Sequence, residues 1–266
     1  MALLALPEPY DFALSTERFL AFGPDLANRW HDGALHRFLA GREVRVARAP
    51  GGVDVHPFAA EAGVLLGAAF DLDAFYAFAA RDRVLAEVTR RFAGFRPPLA
   101  PDPFESLVTS ITAQQVSLFS AFAIRNRMLE RFGERGEVAI RFPTQAELAH
   151  ASEGELVAVG FSRRKAEYVI LLARTELDWD ELAVLPDGEV KERLVALRGL
   201  GEWTADWFLA RHLARPRAWP AGDLALQKAV ARFYPALAGD VRAAGARFAP
   251  FENLTAHYLL TAARLP

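Results

Sequence analysis

The sequence predicts a mainly helical α+β protein, in which a small antiparallel sheet at the N-terminus precedes an all-helical region. Two observations carry that division. Valines alternate with polar residues between positions 44 and 55, whereas helix-start signals recur at short intervals from residue 72 onward. A third observation bounds the whole: 52% of the 266 residues are hydrophobic, enough for a substantial core in one large domain or two modest ones. The expected boundary places residues 1–71 in the sheet domain and residues 72–266 in the helical region.

In the first part, Val44 and Val46 occupy alternate positions, Pro50-Gly51-Gly52 forms a turn, and Val53 and Val55 resume the alternation before Pro57. That pattern is a β-hairpin. The apolar run 64–70 is expected to add a further strand, and one or two helices are expected over residues 24–30 and 32–39. From Leu72 the pattern is helical, with a first helix over residues 72–92 closed off by Pro97, Pro98 and Pro101. Asp102-Pro103-Phe104-Glu105 offers an N-cap, a proline at the first helical position and an acid at the third. Thr144 with Glu147, Ser152 with Glu155, and Asp178 with Glu181 repeat the capping-box spacing. Gly133, Gly160, Gly199 and Gly201 stand where helices stop or turn.

Composition removes several chemistries. With no cysteine, there are no disulfides, thiol nucleophiles, thiolate zinc sites or iron–sulfur clusters, and the cytosol is the expected compartment. The six histidines show no metal-ligand spacing, so no metal site is expected. The first nine residues lack a basic flank and are broken by Pro7 and Pro9, unlike a secretory signal, and no apolar run reaches membrane-spanning length. A formal net charge of −2 argues against wholesale phosphate collection. The acids cluster, however, and Arg163, Arg164 and Lys165 stand together as a local basic lip.

The candidate site lies within thirty residues. Leu197-Arg198-Gly199-Leu200-Gly201 is a glycine hairpin directly before the aromatic run Glu202-Trp203-Thr204-Ala205-Asp206-Trp207, and Asp223 follows Pro220-Ala221-Gly222. Unpaired N–H groups and the helix dipole both favour an anion at such a helix start, and Gly199 and Gly201 permit close backbone approach. An ordinary helix–helix turn is the competing reading. Trp203 and Trp207, four apart, share one helix face, either as core or as a slot in which an extruded base stacks. Thr204 and Ala205 are small enough for a backbone to come close. Asp223 caps the next helix, and an anion there also suits an oxocarbenium-like sugar transition state. One carboxylate suffices when the leaving base already carries positive charge. Gln114-Gln115 is either a solvated helix end or a pair that enters DNA in place of the extruded base.

These residues resemble the helix-hairpin-helix DNA glycosylase superfamily, most closely the 3-methyladenine DNA glycosylase II family. The resemblance runs from about Leu72 to the C-terminus through residues 102–105, 111–117, 160–168 and 197–207, then Asp223, then residues 249–259. It implies a helix-hairpin-helix glycosylase core behind an N-terminal sheet domain resembling half of a TATA-binding protein. By the same resemblance, Asp223 is the essential aspartate, Gly199, Leu200 and Gly201 form the phosphate-binding hairpin, and Trp203 stands where bifunctional members carry a lysine nucleophile. Trp203 has no amine, so a monofunctional glycosylase is implied. Trp207, Leu224 and Leu260 fall on pocket positions, with Thr204, Gln114, Gln115 and Arg163 on the DNA side and Gln115 as the wedge. Gln115 replaces a familiar apolar wedge, and Leu224 and Leu260 replace familiar aromatics, which implies a wider, less aromatic pocket.

The resulting expectation is a monomeric, cytosolic enzyme that excises 3-methyladenine or 7-methylguanine type lesions from double-stranded DNA. It needs no cofactor, with a monovalent cation at the hairpin carbonyls left open. The alternatives are a bifunctional glycosylase and lyase that draws on Lys228 or another lysine, and a non-catalytic DNA-binding or damage-sensing module.

Overall fold

A computed structural model describes residues 2–265. The expected fold class holds: five antiparallel strands come first, and helices dominate thereafter. Strands β1 (Ala2–Ala5), β2 (Arg29–His31), β3 (Ala34–Leu39), β4 (Arg42–Ala49) and β5 (Gly52–His56) are ordered β1-β5-β4-β3-β2. Leu35, Val44, Val46, Val53 and Val55 are fully buried on one face, the consequence of a side-chain period of two. Helices α1 (Phe12–Thr16) and α2 (Glu61–Leu65) contribute Phe12, Ala62 and Leu65 to the core under that face.

The expected β4–β5 hairpin is present, with Ala49 paired to Gly52 across the turn. Two other expectations for this region are corrected. Residues 32–39 do not form a helix: Asp32 and Gly33 take φ of +46° and +72°, a two-residue turn that pairs β2 with β3. Residues 24–30 are loop ending in β2, and the run 64–70 is the end of α2 and a turn, not a strand.

The helical region opens with α3 (Leu72–Ala79) and α4 (Arg83–Arg91), two helices where the sequence suggested one. Asp82 separates them by accepting hydrogen bonds from the Val84 and Leu85 amides, so its side chain starts a new helix. Next come α5 (Pro103–Ala113) and α6 (Leu118–Phe132), then a short hairpin, β6 (Glu134–Arg135) with β7 (Ile140–Arg141). Helices α7 (Gln145–His150), α8 (Glu153–Ala158), α9 (Arg163–Arg174) and α10 (Trp179–Val184) follow. The capping boxes at Thr144 and Ser152 form as expected, and Asp102 and Asp178 cap α5 and α10.

The last group is α11 (Asp187–Val195), α12 (Glu202–Arg211), α13 (Leu224–Phe233), α14 (Val241–Ala244) and α15 (Glu252–Arg264). Helix α12 is buried from Thr204 to Ala210 and α15 from Glu252 to Leu259. Both helices run through the core although they carry buried polar groups such as Asp206, Glu252, Asn253 and His257. Their burial fixes the positions of Trp207 and Leu260, and the start of α13 brings Asp223 to the same place.

Candidate active site and DNA-facing hairpin

Helices α11 and α12 are joined by the glycine hairpin, and two contacts make its shape specific. Gly199 has φ of +96°, and a Cβ there would lie 2.2 Å from the Tyr168 ring, so both the backbone angle and the packing call for glycine. Its carbonyl accepts a 2.9 Å hydrogen bond from the Gln114 side-chain amide. The N–H groups of Gly201, Glu202, Trp203 and Thr204 find no acceptor among the described residues. Gly201 is exposed with open space beside it. This is a row of unpaired donors at the start of a ten-residue helix, where Gly201 and Glu202 are exposed, suited to a phosphate.

Asp223 is the N-cap of α13 and accepts four hydrogen bonds. Oδ1 accepts from the Ala225 and Leu226 amides at 2.9 and 3.0 Å, and Oδ2 accepts from the indole N–H of Trp203 and Trp207 at 2.9 and 3.0 Å. Charge-assisted bonds of this kind fix the carboxylate's orientation. The carboxylate borders a cavity of about 500 Å³ that also receives Trp203, Trp207 and Leu260. The cavity lies between α5, α6, α12, α13 and α15 and the segment around Arg18 to Asn28 that follows α1.

The structure therefore brings Asp223, Trp203, Trp207 and Leu260 together and sets several other sequence-predicted residues elsewhere. Leu224 is 71% exposed and does not line the cavity. Leu200 is buried in the helical core and its amide is bonded to the Leu197 carbonyl. Thr204 is buried, and Gln114 braces the hairpin from within, so its amide is already engaged. Gln115 and Arg163 are exposed at the ends of α5 and α9, Gln115 with φ of +55°. Lys165 of the basic lip is folded inward, donating to the Thr112 carbonyl, and burial lowers its ammonium below the usual range.

Trp207 departs from the stacking-slot reading. It is 3% exposed, and the Arg211 guanidinium lies 3.6 Å from its ring centre, so one indole face is already covered. Its indole N–H donates to Asp223. Sequence reading also missed the cationic character of the cavity. Six basic side chains and three carboxylates line it, with Arg18, Arg211 and Arg264 on the side of Asp223. Arg211 was visible as a lone basic residue four positions after Trp207 on a helix otherwise apolar at its end. Arg18 gave no signal, because it arrives through tertiary packing. Nearby His257 is buried with Nε2 unpartnered among the described residues. Its burial, with Arg211 and Arg18 beside it, pushes the imidazole far below its ordinary value, so it is neutral.

A helix-hairpin-helix with free amides, set beside a capped aspartate at a cavity, defines a class of nucleic-acid repair fold. The chain belongs to the HhH-GPD superfamily of base excision DNA repair proteins, whose family model matches residues 108–244. A DNA-3-methyladenine glycosylase of Bacillus subtilis is 32% identical over 164 residues, covering 59% of this chain and 54% of that protein. DNA-3-methyladenine glycosylase 2 of Escherichia coli is 34% identical over 139 residues, covering 50% and 47%. The chain thus spans about half the length of the curated relatives it matches. Among solved structures, a 3-methyladenine DNA glycosylase from Archaeoglobus fulgidus superposes with a TM-score of 0.88 at 27% identity, covering 100% of this chain and 99% of that one.

Proposed function

We propose that the protein is a monofunctional DNA glycosylase that hydrolyses the N-glycosidic bond of alkylated purines, of the 3-methyladenine and 7-methylguanine type, in duplex DNA. The single observation that carries the reading is Asp223, held by four donors at the mouth of a base-sized cavity beside a hairpin with unpaired amides. The hairpin amides grip a phosphate, and the extruded nucleotide enters the cavity. As the C1′–N bond lengthens, its electron pair leaves with the base and cancels the base's positive charge. The carboxylate of Asp223 steadies the oxocarbenium character left on the sugar. Water then bonds to C1′ and gives its proton to solvent, leaving an abasic site with the strand unbroken. Water is the only co-reactant, so no cofactor enters the scheme.

Asp223→Asn is expected to reduce release of 7-methylguanine from alkylated duplex DNA by at least about a hundredfold, in line with the loss of one transition-state electrostatic group. DNA affinity should persist. Undiminished base release by the variant would remove the mechanism. Lys228 lines the cavity five residues after Asp223, which favours the bifunctional reading as the second. A borohydride-trapped protein–DNA adduct that disappears in Lys228→Ala would decide for it.

A further inference from the structure

Two turns of the molecule are tied to each other and to one helix. The first is the hairpin at Gly199. The second is the four-residue link 114–117 between α5 and α6, in which Gln115 and Val116 are exposed. Gln115 keeps φ of +55° although it is not a glycine, and such a residue stays left-handed only where its surroundings over-determine it. Ser117 ends the link by capping α6, accepting from the Ser120 amide at 3.1 Å. Gln114 begins it, and its side-chain amide donates to the Gly199 carbonyl at 2.9 Å and to the Thr204 hydroxyl at 3.4 Å.

Helix α9 lies under both turns. Lys165 donates from Nζ to the Thr112 carbonyl, in the last turn of α5, at 2.9 Å. Tyr168 stands three residues further on, hence on the same side of α9, and its ring packs so closely on Gly199 that a Cβ there would lie 2.2 Å away. A single helix thus sets the spacing between the end of α5 and the hairpin, and the Gln114 bond closes the triangle.

We propose that Gln114 and Lys165 are positioning residues that hold Gln115 at a fixed offset from the hairpin amides, so that gripping a phosphate and driving Gln115 into the duplex become one event. The inference rests on the glycosylase reading and places neither residue at the reacting atoms. Extruding a base costs its pairing and stacking, and the cost is least where the base has no partner. Filling the vacated place offsets that cost only in part when the entering side chain must first be ordered, because ordering forfeits conformational entropy. Gln115 is ordered beforehand by the two anchored ends of its link. Its push on the stack is carried through Gln114 to the Gly199 carbonyl, next to the amides that hold the strand.

The test measures single-turnover release of 7-methylguanine from two duplexes, one with the lesion opposite cytosine and one with it opposite a tetrahydrofuran abasic analogue. Only the first lesion has to be unpaired. Gln114→Ala is expected to lower the ratio of the paired rate to the unpaired rate about 3- to 10-fold, the worth of one hydrogen bond. Lys165→Met should shift the ratio in the same direction, and it carries the test if Gln114→Ala fails to fold. Gln115→Ala should lower the ratio at least as far, and Gln114→Ala added to it should lower the ratio no further, since residues that act through one another are not additive. A merely structural role would slow both duplexes equally. An unchanged ratio in a folded variant of Gln114 or Lys165, or full additivity with Gln115→Ala, would overturn the inference and leave the glycosylase reading standing. Release from neither duplex by wild-type protein would overturn both.

Discussion

At the scale of single residues, the site works because several side chains each satisfy two demands at once. Asp223 caps α13 with one oxygen and receives two indole N–H groups with the other. The sequence exposed the first role through Asp223-Leu224-Ala225 and, by resemblance, marked Asp223 as the essential aspartate. The tryptophan pair was legible as one helix face, but its hydrogen bonding to Asp223 was not, because it depends on the start of α13 folding against α12. Gly199 is the sharpest case for a prediction. An alanine there meets the Tyr168 ring at 2.2 Å while its φ stays at +96°. Left-handed strain alone costs about 1–3 kcal/mol, and the clash adds displacement of α9 or of the hairpin. Gly199→Ala is therefore expected to lower stability by about 2 kcal/mol or more and to weaken DNA binding. Gly201→Ala, with nothing within 4 Å of its Cβ, should change stability little. Urea denaturation and salt-dependent DNA titration of the two variants check the contrast, and equal effects would contradict it.

At the scale of elements, the legible parts are those whose signal is local. A capping box is complete within four residues, so Thr144 with Glu147 and Ser152 with Glu155 were readable from spacing, and both form. The β3 strand was misread because its burial pattern contradicts its polarity: Leu35, Arg37 and Leu39 face inward while Phe38 is only half-buried. A buried arginine breaks the apolar alternation, and the Asp32-Gly33 turn was the stronger clue. The run 64–70 failed for a different reason, since a short apolar stretch has no period that separates a strand from a helix end. The α7 cap also carries a pH prediction. Bonds from Arg141, the largest influence, together with Thr144, outweigh burial and hold the Glu147 carboxyl at about 2, below its ordinary value of 4.5. A depressed folded value stabilises above the unfolded one, and the contribution is lost as pH falls toward about 2. Glu147 is largely exposed, so screening limits the gain. Glu147→Gln is expected to cost about 1 kcal/mol near pH 6.5, with the gap shrinking by pH 3.5. A gap independent of pH in urea melts would contradict this cause.

At the scale of the whole molecule, the sheet and the helices are joined by charge and by backbone bonds. Arg37 on β3 pairs with Glu105 on α5 at 2.6 Å, and Arg125 on α6 bridges Glu105 and Asp25 at 2.7 and 2.6 Å. Asn28 completes the cluster through Asp25 and Arg37. A second tie comes from Glu43 on β4, whose carboxylate accepts amides of the 137–139 loop between β6 and β7. Because the charge cluster also lines the base cavity, the placement of the Arg18 segment against Asp223 depends on it. Burial alone would raise the Asp25 carboxyl, but the Arg125 charge and the bonds from Asn28 and Arg125 outweigh it and hold the value below the ordinary range. Its contribution to stability is present above the unfolded carboxylate value and lost as pH falls through the lower folded one. Arg125→Met strands the buried Asp25 carboxylate and leaves Glu105 with Arg37 alone, which is expected to cost about 3–5 kcal/mol at pH 7. In that variant burial acts on the Asp25 carboxyl without the opposing Arg125 charge, so protonation relieves it and the gap to wild type narrows toward pH 4. Adding Asp25→Asn should recover part of the loss at pH 7, since the penalty lies in uncompensated charge and not in lost packing. Guanidinium unfolding of the three proteins, followed by tryptophan fluorescence and by circular dichroism, reads these outcomes. If wild type unfolds in two separate steps, or Arg125→Met costs less than about 1 kcal/mol, the cluster does not bind the sheet to the helices.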